Sequence, residues 1–197
     1  MDSKPEFVEY KQIGHYLYDP DDLLGEGQFG KVYKGFDTKN KNRVVAIKVI
    51  EFKKIQHETA VVTLKREIEV LRKLKGEHVV ELVDMLRTEN NLYLIMEYCE
   101  GGDLEGQIKN NKTFSEKEAL QIIKQIADAF VSIDKLGITV NGAKVTVMHR
   151  DIKPANILYR DGKVKVVDFG FAKFLDELNK NQQLNHSYKG TPLYMAP

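Results

Sequence analysis

A polar segment of eight residues constrains this chain more than any other feature. Residues 149–156 read His-Arg-Asp-Ile-Lys-Pro-Ala-Asn and lie between two predicted strands. A hairpin is predicted to follow this segment. Its second strand ends at Val167, eleven residues beyond Asn156, and is followed directly by Asp168-Phe169-Gly170. Oxygen ligands such as Asp151, Asn156 and Asp168 suit Mg²⁺, and a carboxylate can also accept a proton from a hydroxyl group. The alternative, a salt-bridged turn followed by a turn glycine, does not account for the whole spacing.

A glycine-rich loop lies upstream, at residues 25–30 (Gly-Glu-Gly-Gln-Phe-Gly). Glycine lets backbone N–H groups come close to phosphate oxygens, although the loop taken alone also fits a plain turn between strands. A dinucleotide-binding loop would begin a helix, whereas the segment after Gly30 has the pattern of a strand, so that class is excluded. The Lys-Ser/Thr ending of a Walker loop is also missing.

Lys48 interrupts an otherwise apolar strand predicted over residues 44–50. A buried lysine is costly unless it meets an anion, and the alternative is an edge strand with one solvated face. Glu67 lies on a helix predicted over residues 59–74 and shares the apolar face of Leu64 and Leu71. It is therefore a suitable partner for Lys48.

The pattern of elements predicts an α+β fold. The first half contains five predicted strands, one of them over residues 79–86, and one helix, which indicates an antiparallel five-stranded sheet. Ser115 and Glu118 have capping-box spacing at the start of a helix that carries Leu120, Ile123, Ile126, Phe130 and Ile133 on one face. Hairpins are predicted around residues 141–142 and 161–162, and a long loop from Leu175 to Lys189. We expect an N-terminal extension (1–21), a small lobe (22–98) and part of a large lobe (99–197).

Composition narrows the possible partners. The chain has 30 Lys and Arg against 29 Asp and Glu. The net charge of +1 therefore does not indicate the excess of positive charge that binds nucleic acid or an anionic membrane. No apolar run is long enough to predict a membrane segment. Cys99 is the only cysteine of the 197 residues, which favours a reducing, cytoplasmic location.

Taken together and in this order, the motifs resemble those of eukaryotic protein kinases of the serine/threonine type, over Leu23–Pro197. The resemblance implies a two-lobe fold, ATP and Mg²⁺ as cofactors, and a protein substrate. It places Asp151 as the proton acceptor, Lys153 and Lys48 on the phosphates with Glu67 positioning Lys48, and Asn156 and Asp168 on Mg²⁺. The implied ATP-binding residues are Leu24, Gly25, Glu26, Gly27, Gly30, Val32, Ala46, Lys48, Met96, Glu97, Cys99, Asp103 and Leu158.

The resemblance also implies regulation. Arg150 would pair with a phosphate on Ser187 in the activation loop, the alternative being a solvated loop serine. Thr191 lies in a Gly-Thr-Pro segment similar to that of serine/threonine kinases. Phe169 belongs to an apolar spine with Leu71, Met85 and His149. The segments 96–104, 168–172 and 191–197 are similar to the autophagy-initiating kinases.

Two departures from the family pattern affect these expectations. Eleven residues separate Gly137 from His149, more than most kinases have, so we expect an inserted hairpin that could dock a regulatory partner. The family continues beyond a segment such as Thr191–Pro197 with further helices, so we expect a truncated catalytic domain. A pseudokinase that binds a nucleotide or a partner without transferring phosphate is the alternative function. A small-molecule kinase is disfavoured by the Gly-Thr-Pro segment.

Overall fold

The computed structural model describes residues 9–27, 30–40, 43–55, 58–110, 113–140, 143–169, 173–176 and 191–194. The chain divides into two compact units. The first comprises the residues up to His57 together with Leu82–Tyr98, and the second comprises Glu58–Glu81 together with the residues from Cys99 onward. The second unit thus begins with a segment that interrupts the first one along the chain.

The first unit is a six-stranded antiparallel sheet with the order β1-β2-β3-β4-β6-β5. Its strands are β1 (Lys11–Ile13), β2 (Tyr16–Gly27), β3 (Gly30–Asp37), β4 (Arg43–Glu51), β5 (Leu82–Arg87) and β6 (Asn91–Glu97). The antiparallel sheet and the α+β class are confirmed, but the predicted count of five strands is wrong. The additional strand is β1, which folds back on β2 through a turn where Gly14 has a φ of 59°. Three residues are too few to show an alternating pattern.

The sheet is curled, so that strands β2 and β5, near its two edges, come into contact. The Tyr16 hydroxyl on β2 donates a hydrogen bond to Asp84 Oδ2 on β5, at 3.2 Å. The face enclosed by the curl carries the buried cluster of the unit, which consists of Tyr16, Tyr18, Val45, Ile47, Val49, Tyr93 and Ile95. Alternation along β4 places Ala46 and Lys48 on the opposite face.

The second unit contains three helices, α1 (Glu58–Lys73), α2 (Leu104–Lys109) and α3 (Glu116–Lys135), among its described residues. The predicted capping box begins α3: Ser115 Oγ accepts from the Glu118 N–H, and the Glu118 carboxylate accepts from the Ser115 N–H. Ile133 of its apolar face is buried, whereas Leu120 and Ile123 are 66% and 62% exposed. None of the described helices is long and apolar enough to cross a membrane.

Short hairpins complete the second unit. Its strands are β7 (Thr139–Val140), β8 (Ala143–Met148), β9 (Ile157–Arg160), β10 (Lys163–Val166) and β11 (Lys173–Asp176). The inserted segment forms the predicted hairpin β7–β8, and Lys73 at the end of α1 donates to the Thr139 carbonyl at 2.7 Å. Asp161 and Gly162 form the turn between β9 and β10, both with positive φ.

Two predicted boundaries need correction. The strand expected from Val79 begins only at Leu82, because Val79 and Val80 join the second unit, where the Val80 N–H donates to the Val166 carbonyl. Leu175 and Asp176, expected to begin a long loop, belong instead to β11, which pairs with β8. Both differences arise from pairing between distant segments, which a local pattern does not reveal.

Candidate active site

The segment from His149 to Asn156 carries a buried carboxylate. Asp151 is 2% exposed. Its Oδ1 accepts from the Thr191 N–H at 2.9 Å and from the Thr191 hydroxyl at 2.7 Å, while its Oδ2 lies 3.0 Å from Lys153 Nζ. Burial opposes ionisation, but the bonds from Thr191 and Lys153 outweigh it and hold the pKa of Asp151 below its ordinary value. The carboxylate is therefore ionised and able to accept a proton.

Asn156 is tied to this carboxylate by its side chain. Its Nδ2 donates to the Asp151 carbonyl at 2.8 Å and to Asp151 Oδ2 at 3.0 Å, and it is 6% exposed. Both hydrogens of the amide nitrogen are thereby used, so the amide oxygen is the group that Asn156 can offer to a cation. The Val167 N–H donates to the Asn156 carbonyl at 3.1 Å, which brings the backbone just before Asp168 to this point. An amide oxygen next to a carboxylate is a donor set that fits Mg²⁺.

His149 joins the two loops through its ring. Its Nε2 donates to the Val167 carbonyl at 2.9 Å, and its Nδ1 accepts from the Asp151 N–H at 3.3 Å. One donor and one acceptor require the neutral imidazole, and burial lowers the pKa of His149 accordingly. The Phe169 ring lies 4.6 Å from the His149 ring, centroid to centroid, and is 1% exposed. His149 and Phe169, two of the four residues expected to form the spine, are therefore in contact.

Two residues of the site have a strained backbone. Arg150 and Asp168 have φ values of 67° and 61°, in the left-handed region that side chains other than glycine rarely adopt. Such a conformation costs on the order of 1 kcal/mol and persists where the surroundings enforce it. It sets the directions in which these two side chains leave the backbone.

The first unit places a second group of predicted residues on one face of its sheet. Lys48 lies opposite Val32 on β3, Val32 lies opposite Gly25 on β2, and Ala46 lies opposite Met96 on β6. Directly paired residues share a face, so Val32, Ala46, Lys48 and Met96 are neighbours. Leu24 and Glu26 flank Gly25 on β2, and both side chains are exposed.

The three loop glycines differ in what packing demands of them. A Cβ at Gly30 would lie 1.9 Å from the Val49 carbonyl oxygen, so the sheet itself requires glycine there. A Cβ at Gly25 meets nothing within 4 Å, and one at Gly27 meets only a backbone oxygen at 3.9 Å. Packing does not explain glycine at these two positions, whereas close approach of a ligand would.

The remaining predicted ATP-binding residues lie on both sides of the division between the units. Glu97 ends β6 in the first unit, and Cys99 begins the second; both are buried. Asp103 caps α2, with its Oδ1 accepting from the Gly106 N–H at 2.6 Å, and forms an isolated bridge with Leu158. Gly101 was not among the predicted site residues. Its N–H donates to the Tyr159 carbonyl at 3.0 Å, and a Cβ added there would lie only 2.6 Å from the Tyr159 side chain.

Some predictions lie outside the described residues. These are Ser187, Gly170, Gly190 and the side chain of Glu67, so the Lys48–Glu67 and Arg150–Ser187 pairs stay predictions. The direct bonds from Thr191 to Asp151 were missed, although Thr191 was selected as a regulatory residue. Forty residues separate the two, and no local sequence signal connects them.

Comparisons with known proteins agree with this geometry. The protein kinase domain model matches residues 18–197. The chain belongs to the protein kinase family. This kinase is 36% identical to the serine/threonine-protein kinase atg1 of Dictyostelium discoideum over 95% of the chain, and 34% identical to human serine/threonine-protein kinase ULK1 over 94%. It is also 34% identical to the human hormonally up-regulated neu tumor-associated kinase over 98%.

These matches cover 27%, 17% and 26% of the three relatives, so the chain spans about a quarter of their length or less. The predicted serine/threonine kinase family is confirmed, and atg1 and ULK1 bear out the resemblance to the autophagy-initiating kinases. The human hormonally up-regulated neu tumor-associated kinase has the same 34% identity as ULK1. The similarity therefore shows the family more firmly than the subfamily.

Proposed function

We propose that this kinase transfers the γ-phosphate of ATP to serine or threonine hydroxyls of proteins. The observation that carries the proposal is the buried, ionised Asp151, held by Thr191, Lys153 and Asn156. A carboxylate with its pKa below the ordinary value is a weak base toward a free alcohol. The substrate hydroxyl becomes acidic as its oxygen bonds to phosphorus, so Asp151 orients the hydroxyl first and accepts its proton late.

The other residues supply position and charge. Lys153, 3.0 Å from Asp151, would neutralise the transferred phosphoryl group next to the proton acceptor. Lys48 would bind the remaining phosphates, with Gly25 and Gly27 allowing the backbone to approach them. Mg²⁺, held by the Asn156 amide oxygen and the Asp168 carboxylate, would offset the negative charge on the phosphates.

The pseudokinase alternative has one observation in its favour. Thr191, Lys153 and Asn156 together occupy both oxygens of Asp151, so a substrate hydroxyl must displace one of them. Because the Thr191 hydroxyl and the Lys153 ammonium group are side-chain donors on rotatable bonds, we favour their exchange with a substrate hydroxyl over a permanently closed carboxylate. Regulation through Ser187, lobe boundaries after residues 21 and 98, and a cytoplasmic location are further proposals.

The deciding experiment is phosphate transfer from Mg²⁺-ATP to a generic protein substrate. It uses the 197-residue chain and, as a second arm, this chain extended beyond Pro197 by the further helices of a kinase large lobe. Transfer that is lost in Asp168→Ala supports the proposal. ATP binding without transfer in both arms would establish the pseudokinase. A Ser187→Ala variant with unchanged activity would remove the proposed phosphorylation switch.

A further inference from the structure

The first unit contains a cavity that the kinase chemistry does not use. It has a volume of about 480 Å³ and lies at one end of the curled sheet, against β1, β2, β3, β4 and β6. Val49, which lines it, belongs to the enclosed face of β4, whereas Lys48 lies on the opposite face. Cavities of this size, particularly at the mouths of barrel-like sheets, are typical of ligand sites.

Aromatic rings form the walls of the cavity. Tyr18 and Tyr33 lie with their ring centroids 5.2 Å apart, and Tyr93 and Phe52 complete the aromatic lining. The Asn91 Nδ2 donates to the Tyr93 hydroxyl at 3.2 Å, which holds that ring in place. Tyrosine presents a large amphipathic surface with few rotatable bonds, so a ligand gains contact area without ordering a mobile wall.

The rim of the cavity is positively charged. Lys11, Lys31 and Lys53 line it, and Glu51 is its sole carboxylate among the described lining residues. Glu51 is already neutralised, since Lys53 and Lys54 lie 2.8 and 3.0 Å from its oxygens and lower its pKa to about 2. Lys11 and Lys31 form no ion pair with a carboxylate among the described residues; Glu26 lies opposite Lys31 in the β2–β3 register but does not line the cavity.

Further positive charge borders the aromatic wall, where the Arg87 guanidinium lies 5.2 Å from the Phe52 ring centroid. The carboxylates of Asp19 and Asp21, on either side of Pro20, are not among the lining residues. The exposed side chain of Asn90 offers both a donor and an acceptor at the rim, which suits a peptide backbone. Aromatic walls inside a positively charged rim are complementary to an aromatic side chain that is flanked by negatively charged residues.

We propose that this cavity, defined by Tyr18, Tyr33, Tyr93, Lys11 and Lys31, docks an acidic peptide segment of another protein through an aromatic side chain. The aromatic ring packs against the tyrosine rings that line the cavity, and flanking Asp or Glu residues meet Lys11 and Lys31. The site is separate from the phosphate-transfer residues and does not depend on the proposed catalytic activity. It would recruit a substrate or regulator through the first unit.

The test measures binding of a fluorescein-labelled peptide, Asp-Glu-Phe-Asp-Glu, to the 197-residue chain by fluorescence anisotropy. We expect saturable binding that weakens at least tenfold in Lys31→Glu and in Lys11→Glu. The matched control Lys39→Glu changes a lysine in the exposed β3–β4 turn and should stay within twofold of the parent protein. Melting curves verify that each variant is folded. If one of the two rim variants does not fold, the other still tests the proposal.

The peptides themselves provide the second control. Replacing Phe by Ala should weaken binding at least tenfold, and Lys-Arg-Phe-Lys-Arg should not bind. Equal losses in Lys39→Glu and Lys31→Glu would reduce the effect to overall charge and overturn the proposal. Absence of peptide binding would overturn it as well, and binding of phenyl phosphate alone would identify a small-molecule site instead.

Discussion

Asp37 in the first unit and Asp151 in the second unit are 1% and 2% exposed, yet their carboxylates accept hydrogen bonds from different kinds of donor. The donors to Asp37 come chiefly from its own turn, the Lys39 N–H and the Asn40 side chain, with His15 at 3.5 Å. Asp151 receives its bonds from Lys153, Asn156 and the distant Thr191. The donors within its own turn make Asp37 a stabiliser of that turn, whereas two donors to Asp151, the Thr191 hydroxyl and the Lys153 ammonium group, can be exchanged for a substrate hydroxyl.

The largest effect expected from this comparison is on the rate. Asp151→Asn removes the proton acceptor and should lower phosphate transfer by roughly 10²–10⁴-fold, the contribution of a general base. Initial rates with radiolabelled ATP, normalised to the folded fraction, measure it. Asp161→Asn, in the exposed β9–β10 turn, is the matched control. Similar rates in the two variants would exclude Asp151 as the acceptor.

Asp37→Asn should change stability instead. It removes the negative charge facing His15 and leaves an amide group opposite the Lys39 and Asn40 donors, so the free energy of unfolding should fall by about 1–3 kcal/mol. Urea denaturation measures this, with exposed Asp21→Asn as the control. The rate per folded molecule should be unchanged. A loss of rate without a loss of stability would contradict the contrast between the two carboxylates.

Thr191→Val tests whether exchangeable side-chain bonds matter at Asp151. It removes the hydroxyl that donates to Asp151 and accepts from Lys153, while the backbone N–H of residue 191 is retained. Losing about 1.4 kcal/mol corresponds to a roughly tenfold lower kcat. Thr191→Ser should restore most of it, because serine keeps the hydroxyl. An equal defect in the serine variant would assign Thr191 a packing role.

The smallest expected effect is on the stability of the first unit at alkaline pH. Burial raises the pKa of Tyr16 and Tyr18 to about 12, from an unfolded value of 10.0. Between these values the folded state keeps protons that the unfolded state releases, so stability falls as pH rises from 10 to 12. Urea midpoints at pH 9, 10 and 11 should fall less steeply in Tyr18→Phe than in the control Tyr10→Phe, where the ring is exposed. Identical slopes would contradict this prediction.

The parts predicted from sequence were those with local signals. The capping box of Ser115, the Asp161-Gly162 turn and helix α1 each depend on residues a few positions apart, and all three are present. The order of Lys48, Asp151, Asn156 and Asp168 was sufficient to indicate the family. What the sequence did not reveal depends on distant partners: strand β1, the pairing of β11 with β8, and the closure of Thr191 on Asp151.

The segment Glu58–Glu81, which leaves the first unit and belongs to the second, has a consequence for synthesis on the ribosome. Strand β4 pairs with β6 only after this segment has emerged, so β4 presents an open edge to the solvent until then. A single cut of the chain cannot release either unit whole, because each is built from two stretches of sequence. The two units are thus joined by chain connectivity at three crossings, after His57, Glu81 and Tyr98.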